Sequence, residues 1–430
     1  MLGASLSPAP QPVSYAKFFP PGPATYDTDR VPPFLGHPNG FDLQSSNASA
    51  TGSASQPKIL AKYALNSMFR CHSRKGEKSD TLSVVHDICF NPYPLEETQA
   101  ISPYTVALTV GGSSICCMYF TREKGQLVWK SSFASSMNLY GTCWIGPHTA
   151  VAVASSGIML FLDMVKKVTL EKISIPAGGA QDNTSDIPDC HIVVSCPKLQ
   201  SNCFVAHGNS VSRVACNLEE VGTGIAPVVV WTLQHPFSMA QKYEGGQPPN
   251  VAALALNKWT CVLATCCEDA TTIYLWDVDT PDVYLTALDM SADTVSLTTP
   301  LLSCCWLNAN LILAQDKAGV LQPFVLSTYR DKPLIATLDP ITWATSGEEI
   351  CTPVSVQHLQ QHAILTGSTA TGCVKFRLIY PGAFWNGVPD VCEHKQSSQY
   401  SRCARAAPDG TYLLSVNDAN LTFMWAETEN

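Results

Sequence analysis

A unit of two short apolar strands joined by a tight turn recurs seven times along this chain of 430 residues. Successive units begin 49 to 61 residues apart, at His86, Gly141, Cys190, Val251, Leu302, Cys351 and Ser401. The apolar runs are rich in Val, Ile, Leu, Thr and aromatic residues, and Gly, Ser or Asp separates them, as is typical of strands and turns. A period near fifty residues built from strands indicates blades that close into a ring.

The repeat therefore predicts an all-β fold, a seven-bladed WD40-like β-propeller. Another all-β array, including a split propeller, is the alternative. The fourth strand of each blade is harder to find, and LVWKSSFA and VYLTALDM are candidates. Only Trp276-Asp277 matches the WD dipeptide in its expected place. Because most blades lack the usual His, Asp, Ser/Thr and Trp set, we expect stability to come mainly from apolar packing between blades, at about 25 cal/mol per Å² buried.

Two regions differ in composition. Residues 1–57 are rich in Pro, Ser, Ala and Gly and have no sustained period, which predicts a flexible, disordered N-terminal tail. Residues 58–430 are predicted to form the propeller. The alternative for the N-terminal region is an arm that packs on the propeller through Phe18, Phe19 and Tyr26.

Charge limits the class of partner. The net charge is -9, which argues against direct, sequence-specific binding of nucleic acid but not against a basic protein partner such as a histone tail. No signal peptide or membrane-spanning segment is visible in the sequence, so we expect an intracellular protein with reduced thiols. Adjacent cysteines are expected on opposite faces of single strands, at Cys116-Cys117, Cys266-Cys267 and Cys304-Cys305.

Motifs for catalysis are missing from the sequence. It contains neither a phosphate-binding glycine loop nor a G-x-S-x-G nucleophile turn. Cys190, Cys196, Cys203 and His207 lie close in sequence, but their spacing is not that of a zinc knuckle. We therefore predict no enzymatic activity, no cofactor and no metal site.

Several segments resemble the WD part of the leucine-rich repeat and WD repeat-containing protein 1 family, the origin recognition complex-associated WD proteins. The resemblance is carried by the segments 69–74, 89–90, 105–116, 140–144, 152–154 and 412–425. It is clearest in the first two blades and the last. Residues 1–57 show no leucine-rich repeat pattern, which is a departure from this family.

The resemblance implies a non-enzymatic chromatin adaptor. Its partners would be origin recognition complex subunits, methylated histone tails and other proteins bound through the propeller rims, with no membrane. It would support DNA replication initiation and heterochromatin organisation, and it would be nuclear, alternatively cytoplasmic. The other interpretation is a WD-repeat scaffold for a ubiquitin ligase, trafficking or ciliary complex.

The first two blades also resemble those of the Polycomb propeller that reads trimethyl-lysine. That resemblance implies a methyl-lysine or peptide cage that includes Phe90 and Tyr140. A later cage position matches Thr352, which is not aromatic, so the cage would be incomplete. Alternatively, Phe90 is a core strand residue and Tyr140 packs at the start of a strand.

Overall fold

The computed structural model describes most of the chain. The described residues are 15–19, 62–69, 72, 84–121, 123–133, 137–154, 157–175, 192–216, 227–236, 250–267, 271–281, 284–290, 297, 299–330, 332–338, 340–342, 354–358, 363–368, 373–379, 392–395, 401–417 and 422–428. Among them, no helix is both long enough and apolar enough to cross a membrane.

The strands of the described residues form seven antiparallel sheets. From the inside outward, blade 1 is built by β2 (Val85–Phe90), β3 (Val106–Gly111), β4 (Ser114–Phe120) and β5 (Gly125–Ser132). Blade 2 is built by β6 (Leu139–Trp144), β7 (Thr149–Ala154), β8 (Ile158–Asp163) and β9 (Val168–Ser174). Blade 3 is built by β10 (Ile192–Val194), β11 (Asn202–His207), β12 (Ser210–Ala215) and β13 (Val228–Gln234). A short helix, α1 (Leu95–Thr98), lies between β2 and β3.

Blades 4 to 7 repeat this arrangement. Blade 4 is built by β14 (Val251–Leu256), β15 (Val262–Cys267), β16 (Thr272–Asp277) and β17 (Tyr284–Asp289), and blade 5 by β18 (Leu301–Trp306), β19 (Leu311–Asp316), β20 (Val320–Tyr329), β21 (Lys332–Thr337) and the short β22 (Ile341–Thr342). Blade 6 is built by β23 (Ser355–His358), β24 (Ala363–Ser368), β25 (Cys373–Ile379) and β26 (Cys392–Lys395). Blade 7 is built by β27 (Ser401–Ala406), β28 (Tyr412–Asn417), β29 (Thr422–Thr428) and β1 (Lys62–Phe69). Both candidate fourth strands, in blades 1 and 4, are confirmed.

The sheets close into a ring. The first strand of each sheet contacts the first strand of the next, and β27 returns to contact β2. These seven strands are therefore the inner strands around a central channel. The predicted seven-bladed propeller is confirmed.

An N-terminal strand completes the ring. β1 pairs antiparallel with β29 and is the outer strand of blade 7, although the other three strands of that blade end the chain. The sequence did not reveal this pairing. It joins the two ends of the propeller by main-chain hydrogen bonds and covers the edge that β29 would otherwise expose.

Apolar packing fills the spaces between blades. Adjacent cysteines illustrate the arrangement, since Cys116 lies in the cluster between blades 7 and 1 while Cys117 lies in the cluster between blades 1 and 2. Cys266 and Cys267 also divide between two clusters, as do the two cysteines of β18. The expectation of opposite strand faces is confirmed.

Hydrogen bonds of the WD type remain in some blades. The indole of Trp276 donates to Thr265 Oγ1 at 2.8 Å, and that of Trp425 donates to Ser415 Oγ at 3.0 Å. In blade 1, the buried His72 ring lies 2.8 Å from Ser114 Oγ and 2.9 Å from Thr109 Oγ1. His72 belongs to one of the segments that carry the family resemblance, and its role here is to bond the strands of blade 1.

A short N-terminal segment packs between blades 4 and 5. Residues Tyr15–Lys17 form a 3-10 turn, and the side chains of Phe18 and Phe19 are buried in the cluster between these blades. The Phe19 carbonyl accepts a hydrogen bond from Thr328 Oγ1, and Lys17 lies 3.5 Å from Asp277. Tyr26 and the rest of the predicted tail lie outside the described residues.

Candidate functional site

The inner strands share a local irregularity near one end of the channel. Among the described residues, a β-bulge interrupts the pairing at the second residue of the inner strand in five blades. These residues, here called the bulge ring, are His86, Tyr140, Ala252, Leu302 and Arg402. A bulge leaves its extra residue outside the regular ladder and redirects its side chain. The described bulge-ring side chains, those of blades 1, 2, 4 and 5, are half-buried.

His86 and Tyr140 form an aromatic pair in the bulge ring. Their ring centroids are 4.7 Å apart and their planes are inclined at 56°. The two residues occupy equivalent positions on neighbouring inner strands, so the pair lies where both strands begin. A tyrosine face at the mouth of a channel is suited to attract an organic cation.

Asp87 holds these two strands in register. Its carboxylate accepts a hydrogen bond of 3.1 Å from the main-chain N–H of Thr142 and one of 2.9 Å from that of Ile88. On its other side, the Arg405 guanidinium of blade 7 lies 3.4 Å away. Burial raises the pKa of the Asp87 carboxyl, against the opposing effect of Arg405. The carboxylate thus links three inner strands directly beside the aromatic pair.

Phe90 does not belong to the aromatic pair of His86 and Tyr140. It is the last residue of β2, is 7% exposed, and packs in the cluster between blades 7 and 1 with its ring 5.8 Å from that of Phe120. His86, the contact of Tyr140, is four residues earlier on the same strand, or about 13 Å along it. The structure therefore does not bring Phe90 and Tyr140 together, and Thr352 lies outside the described residues.

His86 is the residue that sequence reasoning missed. His86 begins the first repeat unit. Its equivalent in blade 2 is Tyr140, which lies one residue before Gly141, where the second repeat unit begins. Aligning the two units by their inner-strand starts would have paired these residues. The resemblance instead assigned the cage position of blade 1 to Phe90.

The cysteines considered for zinc lie in different parts of blade 3. Cys203, on β11, packs in the cluster that also holds Cys143 of blade 2, whereas Cys196 lies in the loop after β10. His207 belongs to β11, and Cys190 lies outside the described residues. Within the described part of the chain, no group of three or more His, Cys, Asp or Glu residues is arranged to hold a metal ion.

The closed ring, the four-stranded blades and the Trp–Ser/Thr bonds define a WD-type β-propeller. Chains in structures of the Chaetomium thermophilum Polycomb Repressive Complex 2 share this fold. One, from a humanized mutant bound to an inhibitor, has a TM-score of 0.64 and 9% identity, covering 86% of this chain and 98% of that chain. Another, from the complex with H3K27me3, has a TM-score of 0.61 and 9% identity over the same shares. No family model and no curated protein matches the sequence.

Proposed function

We propose that this propeller is a non-catalytic chromatin scaffold that binds methylated histone tails at the bulge ring. The observation that carries the proposal is the contact between His86 and Tyr140 at the channel mouth. A methylated lysine keeps its positive charge and loses hydrogen-bond donors, so aromatic faces suit it better than a carboxylate alone.

Charge supports the same partner class. The chain has a net charge of -9, whereas histone tails are basic, so long-range attraction favours their encounter. Further support comes from the similar fold found in a Polycomb complex solved with H3K27me3. Among the described residues the site has one tyrosine and one imidazole, which are fewer aromatic faces than a full cage. Each ring contributes about 0.5–2 kcal/mol, so binding is expected to be weak.

Peptide titration tests the histone proposal. Fluorescence anisotropy with trimethylated and unmodified histone H3 tail peptides should show tighter binding of the methylated form. Tyr140→Ala and His86→Ala should each remove the difference between peptides. Tyr284→Ala, which removes an exposed ring from the outer strand of blade 4, is the control and should keep it. Equal affinity of the wild type for both peptides would contradict the proposal.

At a finer level, we propose that the scaffold holds the origin recognition complex on chromatin. The support is the resemblance in segments 69–74 and 140–144 to the origin recognition complex-associated WD family. Affinity purification of the full chain from nuclear extract tests it directly. Origin recognition complex subunits should co-purify. Recovery of ubiquitin ligase, trafficking or ciliary components in their place would favour the alternative scaffold.

A further inference from the structure

Two lysine ammonium groups meet at Trp259, at the end of the channel opposite the bulge ring. Trp259 lies in the turn after β14, where the inner strand ends, whereas the bulge ring lies where the inner strands begin. The Lys258 ammonium group lies over the Trp259 ring, 4.7 Å from its centroid. The Lys198 ammonium group, from the loop after β10, donates a hydrogen bond to the Trp259 carbonyl. This end of the channel therefore carries two positive charges, on the neighbouring blades 3 and 4.

The Trp259 ring extends this group of residues to blade 6. It contacts the ring of His358, the last residue of the inner strand β23, edge-on with the ring centroids 4.6 Å apart. The His358 ring in turn lies 2.7 Å from the Leu307 carbonyl of blade 5. Residues from three blades thus form one surface at the channel mouth, here called the lysine–tryptophan cluster: Lys198, Lys258, Trp259 and His358.

Hydrogen bonds fix the turn that carries Lys258 and Trp259. The side chain of Asn257 is fully buried, and its oxygen accepts from the main-chain N–H groups of Trp259 at 2.9 Å and of Thr260 at 3.1 Å. Its amide group donates to the Ala309 carbonyl of blade 5 at 3.1 Å. A turn that is already ordered loses little conformational freedom when a ligand binds, so more of the contact energy appears as affinity.

Neither lysine has a carboxylate partner among the described residues. Asp279, in the turn after β16, is paired instead with Arg213 at 3.1 Å. An ammonium group has three N–H donors, and both side chains reach solvent, because Lys198 is exposed and Lys258 is half-buried. Burial lowers the pKa of Lys258 to about 8, as expected for an ammonium group that no carboxylate stabilises. The cluster therefore has hydrogen-bond donors and positive charge available for an anionic ligand.

We propose that the lysine–tryptophan cluster is a docking site for an acidic segment of a partner protein. Two carboxylates of the segment pair with Lys198 and Lys258, and an apolar side chain beside them packs against Trp259. Tryptophan is enriched among the residues that dominate protein–protein interfaces. A nucleic acid fits less well, because its continuous row of phosphates is repelled by a chain with a net charge of -9. A short acidic segment brings far fewer charges and meets them with two lysines.

Lysine-selective NMR tests the inference on the full chain. Its lysines are dimethylated with 13C-formaldehyde, which keeps their positive charge, and the signals of Lys198 and Lys258 are assigned from Lys198→Arg and Lys258→Arg. Hexaglutamate should shift both signals. It should also raise the pKa of Lys258 from its starting value of about 8, because a carboxylate favours the charged amine. Hexaglutamine should shift neither signal.

Fluorescence anisotropy with labelled hexaglutamate measures the contribution of each lysine. Lys198→Ala and Lys258→Ala should each weaken binding roughly two- to fivefold, the range expected for partly exposed ion pairs. Lys332→Ala is the matched control, because it removes the same charge from an exposed position on the outer strand of blade 5. It should bind hexaglutamate as the wild type does. Circular dichroism establishes that each variant is folded.

Two results would overturn this docking site. One is a Lys258 signal that hexaglutamate does not shift, or shifts no more than that of Lys332. The other is tighter binding of oligothymidylate than of hexaglutamate with the same dependence on Lys198 and Lys258, which would assign the cluster to nucleic acid. Tyr140→Ala should leave hexaglutamate binding unchanged, so this inference and the histone proposal fail separately.

Discussion

The indole N–H of Trp144, at the end of β6, donates a 3.1 Å hydrogen bond to the main-chain carbonyl of Cys89 on β2. The same bond recurs in blade 5, where Trp306 donates to the Ala255 carbonyl of blade 4 at 3.1 Å. In blade 6 the His358 ring lies 2.7 Å from the Leu307 carbonyl. In blades 2, 5 and 6 the last residue of the inner strand therefore forms a hydrogen bond to the preceding blade. These directional contacts supplement the apolar packing between blades.

Trp144→Phe should lower the free energy of unfolding by about 1–2 kcal/mol, because it removes this bond and leaves a buried carbonyl with fewer partners. Urea denaturation followed by circular dichroism measures the loss. Trp129→Phe is the control, since Trp129 is half-buried on the outer strand β5 and donates no indole hydrogen bond among the described residues. An equal loss in both variants would mean that ring size, and not the interblade bond, is responsible.

Ring closure by β1 is testable with two truncations. Removing residues 1–57 keeps β1, whereas removing residues 1–70 deletes it and exposes the edge of β29. The protein that lacks residues 1–70 should have a free energy of unfolding about 5 kcal/mol lower than the protein that lacks residues 1–57, because it loses seven residue pairs of the ladder. It should also aggregate through the open edge of β29. Thermal unfolding and size-exclusion chromatography measure the two effects. Equal stability of the two truncations would show that β1 is dispensable for closure.

Docking of the N-terminal segment depends on its two phenylalanines. Phe19 is 1% exposed, so Phe19→Ala should weaken docking by about 3 kcal/mol, roughly a hundredfold in the docking equilibrium. Limited proteolysis should then cleave the N-terminal region faster while the blades resist. Lys17→Ala is the control, because its ion pair with Asp277 is largely exposed on the lysine side and contributes less than about 1 kcal/mol. Unchanged cleavage of the phenylalanine variant would contradict the prediction.

Two histidines, the buried His235 and the half-buried His358, should make the fold sensitive to mild acid. Burial lowers the pKa of His235 to about 4 and that of His358 to about 3, where Lys258 adds to the effect. In the unfolded chain both histidines take up a proton near pH 6.5. The free energy of unfolding should therefore keep its full value above that pH and should fall as the pH drops from 6.5 toward 4.

Urea denaturation between pH 7.5 and 5 measures this slope before most carboxylates titrate. His235→Gln should lower stability at pH 7.5, because the ring lies 3.1 Å from the Cys267 sulfur, and should flatten the dependence on pH. An unaltered slope in this variant would assign the acid sensitivity to other groups.

The sequence alone was sufficient for the blade count and for most strand positions. Alternating apolar residues and turn residues are local signals, so the units that begin at Val251 and Ser401 could be found without any knowledge of their neighbours. The opposite faces of Cys116 and Cys117 also followed from strand geometry alone.

Contacts between blades were decided by the tertiary structure. His86 meets Tyr140 and β1 meets β29, although these partners are 54 to 366 residues apart in sequence. No local pattern records such pairings, because they depend on how the inner strands are aligned around the channel and where a bulge shifts their register. The repeat therefore determined that the chain forms a ring of sheets, while the closure and packing of that ring determined which side chains share a site.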